Sequence, residues 1–122
     1  MDLFVFFQIG LVEKEWLDTL STINPEEVTY TDYVESGNAL AKELRGKGCQ
    51  FIIALTHMRT PNDLRLAANT TEIDLILGGH DHVYEKKEVC MNVLFVPVVL
   101  NFGVIYHFWE RFQQKIPFFK NY

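Results

Sequence analysis

Two apolar runs that each lead to histidine constrain this chain more than any other feature. Ile73-Asp74-Leu75-Ile76-Leu77 passes directly into Gly78-Gly79-His80-Asp81-His82, and Phe51-Ile52-Ile53-Ala54-Leu55 is followed closely by His57. Short apolar runs bounded by turn residues read as buried strands, and the paired glycines free the backbone to turn where the second run stops. Three of the four histidines thus fall at strand ends. Neutral imidazole is a ligand for zinc, iron, manganese and similar cations, and two imidazoles one residue apart point in different directions, which suits two neighbouring ions. Taken singly, each is as readily an exposed loop histidine; their grouping at two strand ends favours the metal reading.

The residues between the runs alternate helix with strand. Thr31 is placed to cap a helix running to about Arg45, with Val34, Leu40, Ala41 and Leu44 as its apolar face and Gly46 and Gly48 at its end. Gly37 weakens that helix. Thr60-Pro61-Asn62-Asp63 reads as a second helix start, with Thr60 as cap, Pro61 in the first turn and Asp63 reaching back, and Leu64, Leu66 and Ala67 pack it. Strands 51–55 and 73–77 then form a β-α-β unit, parallel and joined by a right-handed crossover. Ligands in open α/β sheets bind at the carboxyl ends of the strands. Strands about 5 Å apart bring His57 and His80 within reach of one ion at a metal–nitrogen distance of about 2 Å.

Composition limits the classes open to the chain. Its 122 residues suffice for one domain and are too few for two, and 48% hydrophobic residues supply a core. Sixteen acidic against eleven basic residues give a formal charge of -5 with no basic block, which excludes a phosphate-backbone binder of the nucleic-acid kind. Cys49 and Cys90 have no C-x-x-C spacing and read as buried thiols. Residues 1–10 are apolar but begin with an acid and lack a cationic start and a small-residue cleavage site, so they read as a buried strand and not a signal peptide. That slightly favours a cytoplasmic chain. Asn69-Thr70-Thr71 reads as a polar turn after a helix rather than a glycosylation site.

The strings IIALTHMRTPNDLRLA and IDLILGGHDHVYE, with GLVEKEWLDTL at 10–20 in keeping, resemble the later part of the calcineurin-like metallophosphoesterase superfamily, most closely its 5′-nucleotidase branch. The likeness covers about residues 9–88. It implies an α/β fold, part of an αββα sandwich of two sheets flanked by helices, with metal-ligand loops at strand carboxyl ends. It also implies a phosphoric ester or nucleotide substrate and two divalent cations (Mn, Zn, Fe, Co or Mg), which activate water for in-line attack. By resemblance His57 and His80 ligate one metal and His82 the other. The family's D-x-H, G-D-x-x-D and G-N-H-E/D elements do not occur here, so the bridging aspartate and the histidine that assists the leaving group are missing and no catalytic residue is assigned. The expectation is the second half of such a domain, over residues 1–90, impaired in catalysis by itself. The alternative is a non-catalytic metal-binding or interaction fragment.

Other polar residues carry two readings each. Arg59, two residues past His57, can steady a phosphate oxygen through its guanidinium fork or pair with Asp63. Asp81, between two candidate ligands, can orient a histidine from behind the metal or stand as a solvated turn residue. Asn62 and Asp63 read first as cap residues, and His107, among Tyr106, Phe108 and Trp109, reads as part of an aromatic cluster. Residues 91–122 form an apolar, aromatic-rich end. The stretch 89–109 carries no Asp, Glu, Lys or Arg and matches the roughly 20 residues of a membrane span, but Asn92, Pro97, Asn101 and Gly103 fit two strands better, leaving a membrane contact through 89–109 as the disfavoured reading.

Overall fold

The structure is a computed structural model that describes residues 5–22 and 24–81 and the backbone of residues 87–89 and 93–97. Strand β1 (Phe6–Val12) leads through a short helix α1 (Glu15–Thr19) and a 3-10 turn (Pro25–Glu27) to helix α2 (Tyr33–Gly46). Strand β2 (Phe51–His57), helix α3 (Thr60–Ala68) and strand β3 (Leu75–Gly78) follow, then β4 (Lys87–Val89) and β5 (Val93–Pro97). They form one sheet in the order β1-β2-β3-β5-β4, with β1, β2, β3 and β5 mutually parallel and β4 antiparallel to β5. This is a small α/β unit compatible with part of an α/β sandwich; a second sheet is absent among the described residues.

Period-two alternation divides the strands between two faces. Ile9, Leu11, Ile52, Ala54 and Ile76 turn to the side covered by α2 and α3, where they pack with Tyr33, Ala41, Leu66, Ala67 and Ile73. Helix α2 comes close enough that a Cβ on Gly37 would stand 3.1 Å from the Leu11 side chain and 3.3 Å from that of Leu66. Tight helix–sheet packing thus accounts for a glycine that helix propensity disfavours. The helix ends where Gly48 takes a φ of +85°, a conformation that costs glycine little. Its start is at Asp32 and not Thr31, because the Asp32 carboxylate accepts the Val34 N–H at 2.9 Å.

Below the sheet's amino end, Asp74 accepts from Arg45 at 2.6 Å and from the Ile52 N–H at 2.7 Å, tying the approach to β3 to β2 and α2. Strand β2 runs two residues further than its apolar pattern, through His57, and β3 begins two residues later than expected, at Leu75, because Ile73 and Asp74 form a buried lead-in.

The first strand departs from expectation more sharply. Among the described residues it is an edge strand with a neighbour on one side; within it only Ile9 and Leu11 are buried, and Phe6, Phe7 and Val12 are exposed. At the other end, Val93–Pro97 is a strand beside β3, in keeping with the strand reading of that region, while the Asn101–Gly103 turn and the aromatic tail lie outside the described residues. Among the described residues no helix is long and apolar enough to cross a membrane.

Candidate metal site

Parallel pairing carries β1, β2 and β3 to a common carboxyl edge, where Val12 lies opposite His57 and Thr56 opposite Gly78. The Gly79 N–H continues the ladder to the Thr56 carbonyl at 3.1 Å, so the turn that carries His80 leaves the sheet beside His57. The His80 Nδ1 and His57 Nε2 atoms are 3.2 Å apart, with ring planes at 76°. That distance admits an imidazole–imidazole hydrogen bond if one nitrogen carries a proton. It equally fits a shared cation: two nitrogens about 2.0–2.1 Å from a tetrahedral ion stand about 3.3 Å apart. By separation alone, the two nitrogens stand where one divalent ion could span them. Among the described residues no group of three His, Cys, Asp or Glu side chains is placed to hold a metal.

Trp16 of α1 walls the pair. Its ring centroid is 4.6 Å from that of His57 and 6.3 Å from that of His80, edge-on to both. The indole Nε1–H is buried and has no hydrogen-bond acceptor among the described residues. Glu13, Glu15, Trp16, Thr19, Arg59 and His80 line a small open cleft of about 90 Å³ beside the histidines.

Glu13, immediately after β1, is 2% exposed and faces the loop that follows His57. Its Oε2 accepts the Arg59 N–H at 3.1 Å and the Asn62 side-chain amide, whose own oxygen accepts from the Tyr33 hydroxyl at 3.1 Å. Arg59 is exposed, and its Nε lies 3.9 Å from Glu13 Oε1. The pairing of Arg59 is therefore with Glu13 and not Asp63, which turns inward. Asp63 is buried and accepts the Thr56 hydroxyl at 2.5 Å. Burial pushes its carboxyl up to about 7 against the opposing pull of the Thr56 hydroxyl, and the charges of Asp81 and Glu13 add to the rise. A cap role for Asp63 is replaced by this inward contact, and Thr60 lies inside the helix with Arg59 at its cap position.

Asp81 supplies what a cap would. Its Oδ2 accepts the Thr60 N–H at 2.8 Å, and the Thr60 donors hold its carboxyl below the usual carboxylate range. It is therefore not a free turn residue, and among the described residues it makes no hydrogen bond to a histidine. His82 lies outside the described residues, as do Cys90 and His107. Cys49 is buried, as read from sequence. Sequence reasoning missed Glu13 and Trp16. The signal for Glu13 was present, an acid directly behind the strand-forming Gly10-Leu11-Val12 at the same edge as His57; Trp16 carried none.

Two imidazoles and an exposed guanidinium thus lie near one carboxyl edge of the parallel sheet, and sequence comparison finds similarity to a protein named as a nucleotide phosphoesterase. Over 78 residues, 62% of this chain, the sequence is 37% identical to the trifunctional nucleotide phosphoesterase protein YfkN of Bacillus subtilis (strain 168). The match spans about 5% of the length of that protein. No protein-family model matches the chain.

Proposed function

We propose that this chain carries part of a divalent-metal phosphoesterase site of the 5′-nucleotidase-like, calcineurin-like type, acting on phosphate esters of the nucleotide class. The observation that carries the reading is the 3.2 Å approach of His57 Nε2 to His80 Nδ1 at the carboxyl ends of adjacent parallel strands, in a chain that over 62% of its length is similar to a nucleotide phosphoesterase. His57 and His80 would hold one cation and His82 a second. A bound divalent ion supplies Lewis acidity toward a phosphoryl oxygen and lowers the pKa of a coordinated water.

The chain's own residues bind and orient. The exposed Arg59 guanidinium borders the cleft and offers paired N–H donors to phosphate oxygens. The Trp16 ring covers one side of both imidazoles and limits water there. Asp81 serves the site by fixing the His80 turn to α3. With two convergent donors and no bridging carboxylate among the described residues, hydrolysis by the chain alone is expected to be negligible.

The test is a chimera in which these residues replace the matching segment of the B. subtilis relative. Hydrolysis of nucleoside monophosphates by the chimera, lost in His57→Ala and His80→Ala, supports the assignment. A folded, metal-loaded chimera with no activity contradicts it. The second reading, a metal-binding element without catalysis, rests on the lack of a third donor among the described residues.

A further inference from the structure

The first two backbone N–H groups at the amino end of α3 are each taken by a carboxylate from a different neighbouring strand loop. Glu13, after β1, accepts from Arg59, and Asp81, after β3, accepts from Thr60. Both contacts span long sequence separations, so neither forms until the three strands are aligned. His57 lies two residues before Arg59 at the end of β2, and His80 is the immediate neighbour of Asp81. Holding these consecutive amides from both sides therefore fixes how the His57 and His80 turns sit relative to each other.

We propose that Glu13 and Asp81 are positioning residues: a pair of carboxylate clips on the α3 amino end that hold His57 and His80 at metal-binding separation. Glu13 has the greater hold. It is nearly fully buried, receives the Asn62 amide as well as the Arg59 N–H, and through Asn62 connects to Tyr33 of α2. Asp81 is exposed and makes one such backbone contact, so its hold is weaker. Neither carboxylate needs to touch the cation. Ligands that must be brought together by the cation itself bind it less tightly than ligands already held in place, and loss of such supporting contacts commonly lowers metal affinity 10–100-fold.

This inference rests on the metal reading of the histidine pair, and the experiment separates the two. Cobalt(II) alone is titrated into the full chain and followed by its visible absorption and by quenching of tryptophan fluorescence, with Trp16 against the His57 ring as the near reporter. Glu13→Ala should weaken cobalt binding by about 10–100-fold and Asp81→Ala by a smaller factor. Glu13→Gln, whose amide oxygen can accept both the Arg59 N–H and the Asn62 amide in place of Oε2, should return affinity to within about threefold of wild type. Amide hydrogen exchange at Arg59 in Glu13→Ala, and at Thr60 in Asp81→Ala, should accelerate without metal present. Should Glu13→Ala fail to fold, Asp81→Ala carries the test. Folded variants that bind cobalt like the wild type overturn the clips while leaving the metal reading intact. A wild-type chain that binds no cobalt overturns both.

Discussion

Thr56 donates its hydroxyl to Asp63 at 2.5 Å, one residue before the histidine that ends β2 and three residues into the helix that follows. The same hydroxyl lies 3.5 Å from the Leu77 carbonyl of the adjoining strand. A neutral Asp63 can donate to Thr56, which then donates to Leu77, so the protonated acid completes a hydrogen-bond chain that the ionised acid cannot.

The pH dependence of stability follows from that acid. Its carboxyl is pushed from an ordinary 3.8 up to about 7 in the fold. Below about pH 4 it is neutral in both folded and unfolded chains, and its stabilising contribution is fully present. As pH rises from there to about 7 only the unfolded chain ionises, and that contribution is lost. Asp63→Asn is isosteric and cannot ionise. It should be more stable than wild type at pH 8, by an amount on the order of a few kcal/mol, and close to wild type at pH 4. Urea unfolding at the two pH values checks this; equal differences at both would show that Asp63 ionises normally.

Arg45 reaches the buried Asp74 carboxylate at 2.6 Å and the Cys49 and Glu72 carbonyls at 3.0 and 2.8 Å. Arg45→Ala removes the guanidinium from a carboxylate only 3% exposed and should cost about 3 kcal/mol of unfolding free energy at neutral pH. Lys47→Ala, which removes an exposed ion pair with Glu43, should change stability by less than about 0.5 kcal/mol. Chemical denaturation of the two variants side by side measures the contrast.

The β1 edge, with Leu55 of β2 beside it, gives a third expectation. Phe6, Phe7, Val12 and Leu55 are exposed, each by 39% or more, on β1 and the strand beside it. Unsatisfied strand edges with apolar side chains promote association. The chain should bind a hydrophobic dye and self-associate with rising concentration, and Phe6→Lys with Leu55→Lys should reduce both. A monodisperse, dye-silent wild-type chain by light scattering would contradict this.

Much of this arrangement was legible in the sequence because it rests on local pattern. Apolar runs fixed β2 and β3 within two residues, and the Pro61 and Gly48 signals bracketed α3 and α2. Parallel pairing then brought His57 and His80 together by geometry alone. The rest depends on tertiary partners. Thr31 and Asp32 are both good caps, and only the Val34 N–H chooses between them. Asp63 looks like a cap residue until Thr56 and the covering core draw it inward. Glu13 and Trp16 acquire roles only when β1 lies beside β2, a pairing between segments some 45 residues apart.

Calorimetric titration of the full chain with zinc or cobalt, set beside His57→Ala and His80→Ala, tests the central claim most directly. The predicted result is reversible binding at the His57–His80 pair, released by chelator and by acid that protonates the imidazoles, and abolished in either variant. No binding by the wild-type chain, or binding unchanged in both folded alanine variants, would contradict it.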